Sequence, residues 1–585
     1  MHLSRREFMQ AVAAASVSGM LPAGLSAGTN LYDVPSFGQV RLLHITDTHA
    51  QLNPVYFREP HINIGIGDSW GRPPHIVGSQ FLKTFGIEPN SAEAYAFTYK
   101  DFPRLAEKFG KVGGYAYMKT LVNQLREDFG SERTLLLDGG DSWQGTATAL
   151  WTNGMEMVQA NNHLGTDIAT GHWEFTYTPE VFQQNLDAFN GDFVAQNIFL
   201  TEEALFDEKP VYDDFTGHAF PPYTMRSLGG FDVAIIGQAF PYTPIANPSR
   251  NVPDWTFGIR ADELQELVDN IQNSESPDAV VLLSHNGMDV DVKLAGIVSG
   301  IDAILGGHTH DAVPVPVKVQ NERGTTLVTN AGSNGKFVGV FDLQFGNKGV
   351  SDVKYRLLPI FGNYLTADPE MEAFIRQSRA PYADQLSEEL AVSESLLFRR
   401  GNFNGTFDEV ICNALRSHYN AQIALSPGFR WGTSIIPGQT ITFEDVMTQT
   451  AMTYPETYVQ EMTGETLKLI LEDVADNAFN PDPFYQQGGD MVRISGMSYT
   501  LEVDQTMGSR ISDMRLENGE LIEAEKSYSV TGWATVGQVS PGPPVWDLVA
   551  DHLRTEQTIS VTSLHEPHVL IKSGNPGVGE WKMNT

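Results

Sequence analysis

The strongest constraint on this chain is a pattern that recurs: an apolar run of strand length that ends in a glycine, an aspartate or a histidine. Ile301–Leu305, interrupted only by Asp302, opens onto Gly306-Gly307-His308-Thr309-His310. Arg41–Thr46 leads into Asp47-Thr48-His49, Thr134–Leu137 into Asp138-Gly139-Gly140-Asp141, and Ala279–Ser284 into His285-Asn286-Gly287. Runs of this kind read as buried strands of an α/β sheet, and the glycines let the chain turn sharply at their ends. Each end places a carboxylate or imidazole donor just beyond the carboxyl end of a strand, where open α/β sheets build their sites. One His-x-His pair on a loop carries little meaning. Four donor-bearing strand ends in one chain point to a shared metal centre.

At 585 residues the chain exceeds what a single core holds, so two domains are expected. The 38 basic residues against 72 acidic ones give a formal charge of -34, which argues against nucleic acid or an anionic membrane as partner. Such a surface also repels anionic substrates, so an anion site would need metal ions and local arginines. Ser4-Arg5-Arg6-Glu7-Phe8-Met9 ahead of an Ala-rich run to Ala27 reads as a twin-arginine signal peptide over residues 1–27, which predicts export to the periplasm. No later stretch is apolar enough to span a bilayer. Cys412 is the sole cysteine, so no internal disulfide forms, and its apolar neighbours at helical spacing predict a buried thiol.

Along the chain, residues 54–102 are rich in Gly, Pro and aromatics with little periodicity, and read as an insertion that shapes an entrance or a partner surface. Helices are expected over Gly113–Phe129 and Ala261–Gln272, and strands over Val233–Ile236, Thr326–Thr329, Phe337–Phe345 and Val350–Leu358. Asp167–Phe175 reads as one more strand-to-loop junction. A helical connector is expected over residues 366–390, broken near Pro381. Beyond it the pattern mixes helices (Phe407–His418, Phe443–Thr450, Gly464–Asn477) with strands (Val459–Met462, Met497–Val503, Ser527–Gly532), an α+β order.

Taken in order, Asp47-Thr48-His49, Gly139-Gly140-Asp141, Gly171-His172-Trp173-Glu174-Phe175, Ser284-His285-Asn286-Gly287 and Gly306-Gly307-His308-Thr309-His310 resemble the dinuclear metallophosphoesterases joined to a 5'-nucleotidase-type C-terminal domain. The resemblance implies an α/β, four-layer-type domain over 38–365, with two packed β-sheets flanked by helices. It further implies a C-terminal α+β substrate domain over 391–560 and a tail over 561–585. Carried over position by position, it implies one metal held by Asp47, His49, Asp141 and His310, and a second held by Asp141, His172, His285 and His308. Oxygen and imidazole donors without thiolate suit manganese, iron or zinc, and two divalent ions, manganese foremost, are the expected cofactors.

The third element departs from the nucleotidase pattern Gly-Asn-His-Glu-Phe-Asp. His172 stands for the asparagine ligand, Trp173 for the catalytic histidine and Thr176 for the aspartate that orients it. This departure closely resembles the SoxB thiosulfohydrolases, a periplasmic family of bacterial sulfur oxidation. Its members hydrolyse the terminal sulfonate from an S-sulfosulfanyl cysteine on the carrier SoxYZ and release sulfate, the metals supplying hydroxide to attack the terminal sulfur. The chemistry agrees. An alkoxide leaving group benefits from a proton donor worth roughly 10²–10⁴-fold, whereas a persulfide-like thiolate leaves without one.

Candidate catalytic and substrate residues are then Asp141, Trp173 and Arg430, the last in Ser426-Pro427-Gly428-Phe429-Arg430, which resembles the nucleotidase loop whose arginine reaches the substrate. Trp143 is placed either in the core or in the pocket. Glu174 is expected to orient a ligand histidine, to cap a helix or to form a salt bridge. Arg399 and Arg400 are weaker anion contacts, and Gly488-Gly489-Asp490 is a loop that could border the cleft. A SoxYZ-like carrier is the expected partner, with no nucleic acid and no membrane once the signal is removed. Two other readings stay open: a periplasmic 5'-nucleotidase or phosphodiesterase, and a non-catalytic binding protein on the same fold.

Overall fold

The computed structural model describes residues 31–537 and 541–581. The twin-arginine stretch and the cleavage point after Ala27 lie outside the described residues. The chain divides into two compact units. One comprises the described residues up to Pro54 together with Lys111–Gln144 and Thr148–Arg379. The other comprises Val55–Gly110, Gly145–Ala147 and the described residues from Ala380 onward.

The first unit holds two six-stranded sheets. In one, the strands run in the order Gly349–Pro359, Phe337–Gly346, Val40–Ile45, Thr134–Asp138, Ile168–Ala169 and Asp192–Phe193, the last four parallel. In the other, Phe231–Gln238, Ala279–Ser284, Ala303–Gly306 and Gly324–Asn330 are parallel, flanked by antiparallel edges Tyr223–Leu228 and Val317–Asn321. Phe231 of the second sheet stacks on Phe345 of the first at 4.4 Å. Helices Tyr115–Phe129, Met155–Leu164 and Pro369–Arg379 pack beside the first sheet, and Met288–Ile297 covers the second. Val40–Ile45, Thr134–Asp138 and Ala279–Ser284 are buried at every position, which is why they do not alternate apolar and polar residues; Arg41 and His44 are the buried exceptions within the first.

Register decides where the site sits. Ile45 pairs with Asp138, Asp138 with Ala169, Gln238 with Ser284, and Ser284 with Gly306. The strands of each sheet therefore end level, and their loops leave from one edge.

In the second unit, Thr457–Thr463, Ser527–Trp533, Ile423–Ser426 and Arg493–Ser495 form a four-stranded sheet. Helices Thr406–Tyr419 and Gly464–Phe479 pack on its strands. Cys412 is buried on the first of these helices, and burial pushes its thiol pKa well up.

Three sequence expectations need correction. Residues 54–102 carry helices Gly78–Phe85 and Ala92–Phe97, followed by Phe102–Phe109, and from Val55 they belong to the second unit, not to a 38–365 domain. The connector ends as a helix at Leu386, and Glu389–Ser393 is a strand paired with Thr440–Thr442. The stretch after 560 is tied in: His568–Leu570 pairs with Met497–Glu502. No helix of the described residues is long and apolar enough to cross a membrane.

Candidate metal centre

Seven buried side chains from five loops of the first unit converge. Asp47, His49, Asp141 and His310 form one group and Asp141, His172, His285 and His308 another; in each, one donor atom per residue lies within 4.8 Å of the others. Asp141 belongs to both. These are the two sets that the sequence motifs imply. His49 Nε2 lies 3.0 Å from His310 Nε2. His310 Nε2 is 3.2 Å from Asp47 Oδ1, while Asp141 Oδ2 is 3.1 Å from His285 Nε2 and 3.2 Å from His172 Nδ1.

The backbone carries strain at this spot. Asp47, His49, Asp141, His308 and His310 have φ of 51°, 45°, 59°, 70° and 59°, in the left-handed region that non-glycine residues avoid. Each such residue costs on the order of 1 kcal/mol or more, and persists only where its surroundings hold it. The holding groups are visible. The Asp47 N–H donates to Gly140 O and the His49 N–H to Asp141 O, each at 2.8 Å. Asp47 accepts from Thr46 Oγ1 at 2.6 Å and from the His308 N–H at 3.0 Å. Gly307 is required by crowding: a Cβ there would sit 2.3 Å from Thr46 Oγ1 and 3.0 Å from Asp47 Oδ2.

The donor set fits a cation. His285 Nδ1–H donates to Gly139 O at 2.5 Å, which directs Nε2 at the two aspartates. Burial would lower the His285 pKa, but Asp141 and Asp47 outweigh it and raise it to about 10. Burial likewise acts to raise the pKa of Asp141, yet His172 and His285 hold it well below the carboxylate range. The carboxylates demand positive charge beside them, and a metal ion meets that demand by displacing protons. Nitrogen and oxygen donors alone exclude the thiolate-rich sites of structural zinc.

Other predicted residues fall as follows. Among the described residues Glu174 makes no hydrogen bond to a histidine ring of the two groups. Its carboxylate instead accepts backbone N–H groups of Asp141, Ser142 and Trp143 at 3.2, 2.7 and 3.3 Å, and of His172 at 2.7 Å. It positions two ligand loops through their peptide groups. Trp173 is 5% exposed; its N–H donates to Asp141 Oδ1 at 2.7 Å and its indole lies 5.0 Å from the His172 ring. Thr176 is buried, and its carbonyl accepts from Asn251. Trp143, placed by the sequence either in the core or in the pocket, lies in the hydrophobic core against Phe182 and Phe189.

In the second unit, Arg430 Nη2 donates to Gly489 O at 2.9 Å, which brings together the two loops singled out there. Arg399 is a correction. It is buried, with Nε on Asp408 Oδ1 at 2.7 Å and Nη1 on Gln449 O at 2.8 Å, so its charge is already committed. Arg400 is also buried.

Sequence reading missed Phe240, whose ring stacks on His308 at 4.0 Å and lies 4.1 Å from that of His172. Its signal was its place two residues past Phe231–Gln238, at the sheet edge that supplies the ligands. It also missed a buried relay in which Tyr115 OH joins Thr48 Oγ1 and Asn161 Oδ1, and Asn161 Nδ2 donates to Asp138 Oδ2, linking the first two ligand loops.

Residues 394–538 match the model of the 5'-nucleotidase C-terminal domain. Over 93% of this chain and 98% of the other, the fold superposes on the sulfate thiohydrolase SoxB of Thermus thermophilus, with TM-score 0.86 and 34% identity. The chain belongs to the 5'-nucleotidase superfamily. Its N-terminal phosphoesterase domain precedes the C-terminal nucleotidase domain, as in that superfamily's solved structures. The chain is also 26% identical to the trifunctional nucleotide phosphoesterase YfkN of Bacillus subtilis, over 73% of this chain but 31% of that protein. Against the 5'-nucleotidase of Bos taurus it is 25% identical over 72% of this chain and 76% of the relative. The protein is a hydrolase of a metal-dependent family.

Proposed function

We propose that this hydrolase releases sulfate from a cysteine S-thiosulfonate, and that a SoxYZ-like sulfur carrier presents the substrate in the periplasm. The observation that carries the reading is Trp173. An indole stands beside His172, Thr176 occupies the position of an orienting carboxylate, and no histidine–aspartate pair is left to protonate a departing alkoxide. A leaving thiolate needs no such acid. The likeness to the Thermus thiohydrolase supports the same choice. The nucleotidase names among the other relatives support the competing phosphoester reading.

The residues of the two groups would hold two divalent ions, with manganese our choice. When bound, such ions activate water for attack and offset the charge on the sulfonate oxygens. The chain does the rest. Asp141, fixed through Glu174, sets the spacing of the two groups. The Trp173 indole and Phe240 ring exclude water around His172, which strengthens the electrostatics there. Arg430, by the likeness of its loop to the nucleotidase loop, is the proposed anion contact. In the overall reaction, water oxygen bonds to the terminal sulfur and the S–S bond breaks. The electron pair leaves on the inner sulfur as a cysteine persulfide, and two protons pass to solvent with sulfate.

The test compares the metal-loaded protein on an S-sulfosulfanyl cysteine peptide and on AMP. Sulfate release with negligible phosphate release is expected; phosphate release at nucleotidase rates would overturn the assignment. The double variant Trp173→His/Thr176→Asp sharpens the test. It should gain roughly 10²–10⁴-fold on the phosphoester and little on the thiolate-leaving substrate. Equal gains on both would refute the leaving-group argument.

A further inference from the structure

An arginine side chain presents a planar edge, Nε–H beside Nη2–H, that matches two oxygens of one anion. This protein shows that edge filled at Arg41, where Nε and Nη2 donate to the two oxygens of Asp342 at 2.7 and 2.8 Å. Arg399 fills it with Asp408 Oδ1 at 2.7 Å and Pro427 O at 3.2 Å. Arg58, in the second unit, is equally buried at 1% exposure. Yet among the described residues neither its Nε nor its Nη2 has a hydrogen-bond partner, and its side-chain bond there is from Nη1 to Glu59 O at 3.4 Å.

The surroundings are built. The guanidinium carbon lies 4.0 Å from the Phe398 ring centroid, 5.1 Å from that of Tyr99 and 5.2 Å from that of Trp581. The buried His61 ring sits 4.8 to 6.0 Å from the same three rings, and its Nδ1 also lacks a partner. Separate segments are pinned to make this box. Tyr99 OH donates to Glu580 O at 2.9 Å, the Gly579 N–H to His61 O at 2.8 Å, and the Arg58 N–H to Ser434 Oγ at 3.1 Å.

Aromatic faces compensate a cation only in part, and a buried ion without a counter-charge is costly. Burial pulls the Arg58 pKa down to about 9. Glu59 and Glu566 act on it electrostatically, but neither carboxylate is bonded to the edge. Among the described residues no carboxylate completes the site, and an anion seated on the edge would do so.

We propose that Arg58 and His61 form a binding site for an oxyanion that presents two oxygens to the Nε–Nη2 edge, in the class of carboxylate, sulfate and phosphate groups. His61 Nδ1–H supplies a third donor. The site is distinct from the metal centre and does not depend on the proposed reaction.

Crystals of the full-length, metal-loaded protein soaked in selenate would decide it. An anomalous peak within hydrogen-bond distance of Arg58 Nε and Nη2 is expected. A bare edge, or the carboxylate of Glu59 or Glu566 seated on it, would overturn the proposal. In solution, thermal unfolding is followed against sulfate, phosphate and acetate at constant ionic strength, and the most effective anion identifies the group bound. Arg58→Lys keeps the charge and removes the edge, so the half-saturating concentration should rise at least about tenfold. Asp141→Ala, which disables anion binding at the metal centre, should keep the response. An unchanged response in Arg58→Lys would reject the site, and the soak decides even where that variant fails to fold.

Discussion

Two buried charged clusters in this protein look alike in composition and differ in what they lack. In the second unit, Arg399 and Arg493 surround Asp408, with Nε atoms 2.7 and 3.4 Å from its oxygens. Arg493 also reaches Asp490 at 3.1 Å and the Phe403 carbonyl. That cluster is closed: its charges answer one another on ordinary backbone. In the first unit, imidazole nitrogens face each other across 3.0 Å, carboxylates crowd beside them, and five ligand residues hold a left-handed backbone. Buried charge alone therefore does not mark a functional site. Incomplete mutual satisfaction on a strained frame does.

The comparison can be broken at either end. Asp141→Ala should have the largest effect, because one carboxylate serves both groups. Elemental analysis should find both ions lost, whereas His310→Ala should lose mainly the ion of its own group. A full metal complement in Asp141→Ala would end the shared-ligand arrangement. Asp408→Ala should leave metal content intact but strip the buried Arg399 of its carboxylate and leave Arg493 with Asp490 alone, at a cost of about 3–5 kcal/mol read from denaturant unfolding. If that variant instead lost metal, the two clusters would not be independent.

Glu174→Gln should weaken metal affinity by about 10–100-fold, since an amide cannot accept on both sides as the carboxylate does from four N–H groups. Titration calorimetry of the variant would show it, and unchanged affinity would reduce Glu174 to a packing role. The smallest effect is expected from Arg430→Ala: turnover of the sulfonated substrate lower by roughly tenfold, about the worth of one charge-assisted contact, with metal content unchanged. Unaltered kinetics would make Arg430 a structural partner of the Gly488–Asp490 loop alone.

Four of the donor-bearing strand ends were legible as short apolar runs ending in Asp, His or Gly, while the full candidate set, His172 included, came from the resemblance of the ordered motifs. Helix Tyr115–Phe129 was legible from its amphipathic spacing. What escaped reading depends on distant partners. Residues 54–102 showed no clear period because the helices there are short and the intervening turns are Gly- and Pro-rich. Glu389–Ser393 follows a helical stretch, and its pairing with Thr440–Thr442 is set some fifty positions later. Trp143 is two residues from Asp141 yet lies in the core, where only its distant partners Phe182 and Phe189 reveal it. Arg399, a weaker anion contact on the sequence, is neutralised by Asp408, a pairing that the sequence alone does not show.

The grip of Glu174 has one more consequence. It holds Asp141, Ser142, Trp143 and His172 by peptide N–H groups, which every residue except proline possesses. What hangs from these positions is thus uncoupled from how the loops are held. The neighbouring position 173 is tied the same way, its peptide N–H donating to Asp141 Oδ1, so the side chain there could be exchanged while the chassis around it stays in place. In such a protein a change of reaction need not wait for a change of architecture.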